Sequence, residues 1–145
     1  MSVEQLSTIE KKTVIRAPRA RVWKAITESA EFAKWFRVEV RDEFHPGARV
    51  PMKSIYPGHE GTEFSVDIEE VVPEKKFSWR WAADDGPPTL VVFALEEVEG
   101  GTLVKVTESG FDRISLARRA KAFEENEHGW ELQVENLRKY AEEAN

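Results

Sequence analysis

Residues 116 to 142, LARRAKAFEENEHGWELQVENLRKYAE, decide the fold, because they predict one long amphipathic helix near the end of the chain. Positions three and four residues apart form a single stripe on an otherwise charged helix: Phe123, Glu127, Trp130, Val134, Leu137 and Ala141. Such a helix must bury its stripe against another element. Gly129 lies inside it at a cost of about 1 kcal/mol against Ala. The close approach of another backbone or of a ligand would explain that cost, and a simply tolerated glycine is the alternative.

The surface that receives this helix is predicted to be an antiparallel sheet, because strand patterns and turn residues fill the middle of the chain. The strand segments are residues 61–72, 77–81, 90–98 and 102–109. Pro73-Glu74 and Gly100-Gly101 lie between neighbouring segments and predict short hairpins. Short hairpins join antiparallel strands.

One further strand and two short helices are predicted before these segments. Residues 9–16 have strand character, and Pro18 is suited to open a first helix. Ser29 is the predicted N-cap of a second helix from Ala30 to Phe36. The order of elements predicts an α+β fold, in which an antiparallel sheet of about six strands packs against the C-terminal helix.

Length and composition exclude several classes of protein. The 145 residues predict a single domain over residues 1–145, with 1–8 as a polar lead-in. The net charge of −6 argues against nucleic-acid binding, and the absence of cysteine excludes disulfides and thiolate chemistry. No segment has the pattern of a signal peptide or a membrane span. We therefore expect a cytoplasmic protein that does not insert into membranes, as a monomer or dimer.

Four segments of the chain share a pattern of aromatic, Pro and Gly residues with a known family. They are VIRAPRARVWKAITESAEFAKWF from Val14, GTEFSVDIEEVVPEKKFSWRW from Gly61, GGTLVKVTESGF from Gly100 and HGWELQVENLRKY from His128. The chain resembles the START-like superfamily, and most closely the branch named after the activator of the Hsp90 ATPase. The resemblance implies the helix-grip fold, a curved antiparallel sheet around the C-terminal helix with two short helices closing one end.

The same resemblance bears on function. It is to the C-terminal part of the eukaryotic activator, whose additional N-terminal domain engages the chaperone and is expected to be absent here. Other branches of the superfamily bind sterols, lipids, hormones or polyketides, and a few are cyclases. The fold alone does not choose among these activities.

With this resemblance, a set of mostly aromatic side chains is predicted to line a cavity between the sheet and the C-terminal helix. The predicted lining is Trp35, Phe36, Phe64, Trp79, Trp81, Phe93, Glu108, Trp130 and Val134. The alternative for each ring is that it belongs to a filled core, since large apolar side chains serve both purposes.

The first hairpin places one part of this set. If Pro73-Glu74 is a two-residue loop, Ile68 lies opposite Trp79 on the inner face of the sheet. Asp67 then lies opposite Arg80 on the outer face, where the two charges would form an ion pair.

The second hairpin places the most interesting polar residue. With Gly100-Gly101 as the loop, Leu95 faces Val106 and Phe93 faces Glu108. Glu108 would then point inward among aromatic rings, where a carboxyl group needs hydrogen-bonding partners and is able to fix the polar end of a ligand. The alternative is a position near solvent at the end of the strand.

The sequence contains no motif for a cofactor, a metal or nucleophilic catalysis. Glu124 and His128 are four residues apart on the predicted helix, but a lone pair of this kind is typical of a solvated surface. No catalytic residue, metal site or cofactor is therefore predicted.

Three functions remain open at this point. The first is the binding of an apolar small molecule or lipid-like ligand in the cavity. The second is an interaction domain associated with an Hsp90-type chaperone, with an exposed patch that involves the loop from Asp84 to Pro88. The third is a cyclase-like or hydrolase-like enzyme that uses polar groups of the cavity, Glu108 among them.

Overall fold

The computed structural model describes residues 6–82 and 86–143. In these ranges the chain forms a seven-stranded antiparallel sheet, three α-helices and one turn of 3₁₀ helix. The elements are β1 (Thr8–Ile15), α1 (Arg19–Thr27), α2 (Ser29–Phe36), β2 (Val38–Glu39), β3 (Arg49–Ser54), β4 (Glu63–Val72), β5 (Lys76–Trp81), β6 (Thr89–Val98), β7 (Gly101–Ser109), the 3₁₀ turn (Phe111–Arg113) and α3 (Leu116–Glu143). The predicted α+β helix-grip fold is confirmed.

The order of strands across the sheet is β1-β7-β6-β5-β4-β3-β2. The first two strands of the chain therefore lie at opposite edges, and α1 and α2 connect them across the sheet. The strand segments placed from the sequence did not include β2 or β3. β2 has two residues and pairs with β3, and so short a strand leaves no alternation in the sequence. β3 contains Pro51, which argues against a strand.

The inner face of the sheet and one face of each helix share a single hydrophobic core. In α3 the buried apolar residues are Trp130, Val134, Leu137 and Ala141, which belong to the predicted stripe. Glu127, which was included in that stripe, is exposed and lies 4.0 Å from the ammonium of Lys11. The predicted N-cap of α2 is also wrong, because the helix includes Ser29 and Glu28 occupies the cap position.

The hairpin between β4 and β5 has the predicted strand pairing near its open end, although its loop is longer than predicted. Ile68 lies opposite Trp79, as predicted, but Val72 lies opposite Lys76, so the loop has three residues instead of two. A β-bulge between Ile68 and Val71 compensates for the extra loop residue. Two local deviations therefore cancel, and the Trp79 ring remains on the inner face.

The ion pair predicted between Asp67 and Arg80 is not formed, although the two residues are opposite each other. The guanidinium of Arg49 binds the Asp67 carboxylate with two hydrogen bonds of 2.7 and 3.1 Å. Arg80 instead lies 3.1 Å from the carboxylate of Glu69. The two parallel hydrogen bonds between Arg49 and Asp67 are the strong arrangement for an arginine and a carboxylate, and Arg80 pairs with Glu69 instead.

The hairpin between β6 and β7 differs from the prediction by two positions. Its loop is Glu99-Gly100, because Val98 lies opposite Gly101, and Phe93 lies opposite Val106 instead of Glu108. A shift of two residues keeps every side chain on its face. Glu108 therefore still points inward.

The junction of α1, α2 and the end of α3 is held by a partly buried polar cluster. Arg21 donates to the Glu31 carboxylate at 2.6 Å, and the Tyr140 hydroxyl donates to the same oxygen at 3.1 Å. Burial alone would raise the pKa of Glu31, but these two hydrogen bonds and the charges of Arg21 and Lys24 outweigh it and lower that pKa.

This lowered pKa predicts a loss of stability in acid. A carboxyl whose pKa is lower in the folded than in the unfolded chain stabilises the fold above its unfolded pKa of about 4.3 and stops doing so as the pH falls through the folded value. Glu31→Gln should lower the free energy of unfolding at neutral pH by about 1 to 2 kcal/mol, and its stability should fall less steeply below pH ~4.3 than that of the unaltered protein.

Urea unfolding at a series of pH values measures both effects. The exposed Glu97 on β6 offers the matched control, and Glu97→Gln should follow the unaltered protein at every pH. Parallel curves for Glu31→Gln and the unaltered protein in acid would contradict the role assigned to Glu31.

Candidate functional site

Much of the space between the sheet and α3 is filled by a cluster of aromatic rings around Trp79. The centroid of the Trp79 ring lies between 5.3 and 6.4 Å from those of Phe32, Phe36, Phe77, Trp81, Phe93 and Trp130. Trp35 joins the cluster and donates its indole N–H to the carbonyl oxygen of Ala25 at 2.8 Å. Ring distances in this range are typical of well-packed aromatic contacts.

At one end of the space between the sheet and α3, the rings leave a cavity of about 530 Å³. It lies where β5 ends and β6 begins, beneath the first turns of α3. Its apolar walls are formed by Phe36, Phe64, Trp81, Ala82, Pro87, Phe111, Ile114 and Ala122. The polar lining residues are Ser54, His59, Thr62, Glu63, Thr89, Arg118 and Asn126. A smaller recess of about 150 Å³ shares Phe36, Trp81 and Asn126 with it and extends to Trp130.

The structure divides the predicted lining into two groups. Phe36, Phe64 and Trp81 line the larger cavity, and Trp130 lines the smaller recess. The remaining apolar members are buried in the core and do not line either space: Trp35, Trp79, Phe93 and Val134.

Gly129 lines the recess without the backbone contact considered above. A methyl group added there would meet no atom of the described chain within 4 Å. The glycine is therefore not required by the packing of the protein itself.

Arg119 fixes the cavity wall contributed by the 3₁₀ turn. The residue is only 8% exposed, and its guanidinium donates to the carbonyl oxygens of Asp112 at 2.8 Å and Ile114 at 2.9 Å. These carbonyls belong to the segment that connects β7 to α3. The bonds hold Phe111 and Ile114 at the cavity by satisfying backbone groups that no strand or helix pairs.

Glu108 is fully buried beside the cavity and receives five hydrogen bonds. Its Oε2 accepts from the indole of Trp81 at 2.9 Å and from the hydroxyl of Thr89 at 2.5 Å. Its Oε1 accepts from the indole of Trp130 at 2.8 Å, and the amide of Asn126 donates to both oxygens at 3.1 Å. The donors come from β5, β6 and α3, so this carboxyl group joins the sheet to the helix.

Three of these donors, Trp81, Thr89 and Asn126, also line the cavity, whereas Glu108 lies behind them. We call these three residues the cavity floor. Because every atom of Glu108 is covered by its partners, it positions the floor and does not reach the cavity itself. The geometry gives no support to the role of an acid or base in contact with a ligand.

Sequence reasoning missed Thr89, Asn126, Phe111 and Ala122. Asn126 carries a recognisable signal, because it lies four residues before Trp130 and thus on the same side of α3. Thr89 has the same strand parity as Val91 and Phe93, which are buried. Ala122 lies four residues before Asn126 and continues the same side of α3. The position of Phe111 depends on how the segment after β7 packs, which no local pattern reveals.

The described parts of the chain place no group of three His, Asp or Glu side chains where it would hold a metal ion. In the same parts, no helix has the length and apolar composition needed to cross a membrane.

Comparisons with known proteins identify relatives of this architecture. Residues 16–142 match the family model described as Activator of Hsp90 ATPase homolog 1-like protein. Protein MLL2253 of Mesorhizobium loti is 21% identical with a TM-score of 0.79, covering 95% of this chain and 98% of its own. The Aha1 dimer of Colwellia psychrerythraea is 19% identical with a TM-score of 0.77, covering 93% and 96%. DynU16, from the dynemicin biosynthetic locus, is 22% identical with a TM-score of 0.73, covering 94% of this chain but 47% of its own.

At these identities the solved structures establish the fold alone. No curated protein matches the chain. The family model, in contrast, spans most of the sequence, from before α1 to the last turn of α3. The chain therefore belongs to the family of Activator of Hsp90 ATPase homolog 1-like proteins.

Proposed function

We propose that the protein binds an apolar small molecule or lipid-like ligand in the cavity of about 530 Å³ between the end of the sheet and α3. The observation that carries this proposal is the cavity itself. Its volume lies within the range of roughly 300 to 1,000 Å³ that is typical of small-molecule sites. Aromatic and aliphatic side chains form most of its walls, with a few polar groups at defined positions. The fold family commonly binds hydrophobic ligands, which supports the same assignment.

In this proposal the predicted residues have two roles. Phe36, Phe64 and Trp81 would contact the ligand, with Phe111 and Ala122 completing the apolar surface. The buried residues would support these walls from behind: Trp35, Trp79, Phe93, Glu108, Trp130 and Val134. We also propose the cytoplasmic location predicted from the sequence.

Filling the cavity tests the proposal. Ala122→Phe adds a ring to the cavity wall and should weaken binding of the apolar fluorescent probe N-phenyl-1-naphthylamine by about tenfold or more, because it removes the space for the probe. Fluorescence titration at neutral pH measures the dissociation constant.

Ala20→Phe is the control, since Ala20 is exposed on α1 and does not line the cavity. It should leave probe binding unchanged. Absence of saturable binding to the unaltered protein would overturn the proposal, as would equal binding by the two variants.

A chaperone partner is a second candidate, favoured by the family description alone. The loop from Asp84 to Pro88 was predicted to contribute to the interaction surface, but residues 84 and 85 lie outside the described part of the chain. A purified Hsp90-type chaperone should form a complex with the protein at micromolar concentration. Separate elution of the two proteins in size-exclusion chromatography would count against this candidate.

A further inference from the structure

At the cavity floor, Thr89 presents a hydrogen-bond acceptor to a ligand, because Glu108 already uses the protons of Thr89 and Trp81. The Thr89 hydroxyl has one proton, which is directed to Glu108 Oε2 at 2.5 Å. A hydroxyl whose proton is engaged is only able to accept from a further partner. The single N–H of the Trp81 indole is likewise directed to Oε2.

The Asn126 amide contacts the same carboxyl group. Its nitrogen lies 3.1 Å from both oxygens of Glu108. Because the two N–H bonds of an amide diverge by roughly 120°, a single N–H reaches both oxygens as a bifurcated bond. Glu108 does not engage the second N–H or the carbonyl oxygen, so this side chain is able both to donate to a ligand and to accept from it.

The other polar residues around the cavity do not favour hydrogen-bond acceptors on a ligand over donors. The hydroxyls of Ser54 and Thr62 are able to donate or accept, so they do not discriminate between ligands. His59 and Arg118 are exposed at the rim, where water and salt weaken their attraction for an anion. The choice between ligands with a donor and ligands with an acceptor therefore depends on the cavity floor, which contacts Glu108.

From this arrangement, and resting on the function proposed above, we propose that the cavity prefers apolar ligands whose polar end donates a hydrogen bond, a hydroxyl or an amine. A hydroxyl or amino group placed beside Thr89 would donate to its Oγ1, with the Asn126 carbonyl oxygen as a second acceptor. A carboxylate beside Thr89 would bring acceptor against acceptor. It would also lie one layer from the oxygens of Glu108, which are themselves acceptors.

A series of naphthalene derivatives of similar size tests this preference by competition against N-phenyl-1-naphthylamine. We expect 2-naphthol and 2-naphthylamine to bind about fivefold more tightly than 2-methoxynaphthalene, which keeps the ring and oxygen but has no proton to donate. The anion 2-naphthoate should bind most weakly. Thr89→Val should reduce the preference for 2-naphthol over 2-methoxynaphthalene, whereas Thr89→Ser should preserve it.

The outcomes separate this inference from the proposed function. If 2-methoxynaphthalene or 2-naphthoate bound as tightly as 2-naphthol, the preference would be refuted while binding of apolar ligands stood. If neither the probe nor any naphthalene bound, both proposals would fail. The series on the unaltered protein decides the question by itself, so it does not depend on the folding of the Thr89 variants.

Discussion

Glu108→Ala is expected to lower the free energy of unfolding by about 4 kcal/mol, because it leaves several buried donors without an acceptor. The indoles of Trp81 and Trp130, the hydroxyl of Thr89 and the amide of Asn126 all donate to this one carboxyl group. Urea unfolding followed by tryptophan fluorescence measures the change.

A graded pair of variants identifies the cause of the loss. Glu108→Gln keeps the shape and one acceptor oxygen but places an amide nitrogen against other donors, so we expect about half the loss. Glu97→Ala, on the exposed end of β6, is the control and should change stability by less than about 0.5 kcal/mol. A Glu108→Gln protein as stable as the unaltered one would show that the donors do not depend on the carboxylate.

Gly101→Ala is expected to cost about 3 kcal/mol, because there is no space for its side chain. A methyl group at this position would lie 2.1 Å from the carbonyl oxygen of Ile15 and 3.1 Å from Cα of Arg16. These are backbone atoms, which have no rotamer that would relieve the contact. The substitution should therefore separate the end of β1 from the start of β7.

The neighbouring glycine provides the comparison. Gly100 has a positive φ of 87° but open space around it, so Gly100→Ala should cost only about 1 kcal/mol from backbone conformation. Denaturant unfolding of both variants gives the ranking. A larger loss at Gly100 than at Gly101 would contradict the steric explanation.

The sequence predicts the fold well because most of the elements carry a local signal. Helical spacing identifies α3, and alternation identifies the longer strands to within about two residues at each end. Exact pairing was less predictable. The bulge after Ile68 offsets the longer turn in one hairpin, and the register at Phe93 differs by two in the other, yet strand parity preserves the facing of Trp79 and Glu108.

The candidate site was less accessible to sequence reasoning. An aromatic residue of inner parity has the same local pattern whether it fills the core, like Trp79, or borders empty space, like Trp81. The difference depends on side chains brought from distant segments, such as Phe111 and Asn126. The inward direction of Glu108 could be predicted, but its donors on three separate elements could not.

The pairing of β1 with β7 has a consequence for synthesis of the protein. Residues Thr8 to Ile15 bond with a strand that is made on the order of 90 to 100 residues later. At a translation rate of roughly 5 to 20 residues per second, β1 leaves the ribosome several seconds before its partner exists. Throughout that interval Ile9 and Ile15, which end up buried, have no sheet to join. Glu10 and Lys12 are exposed on β1, and charges of this kind discourage pairing of an open strand edge with another chain.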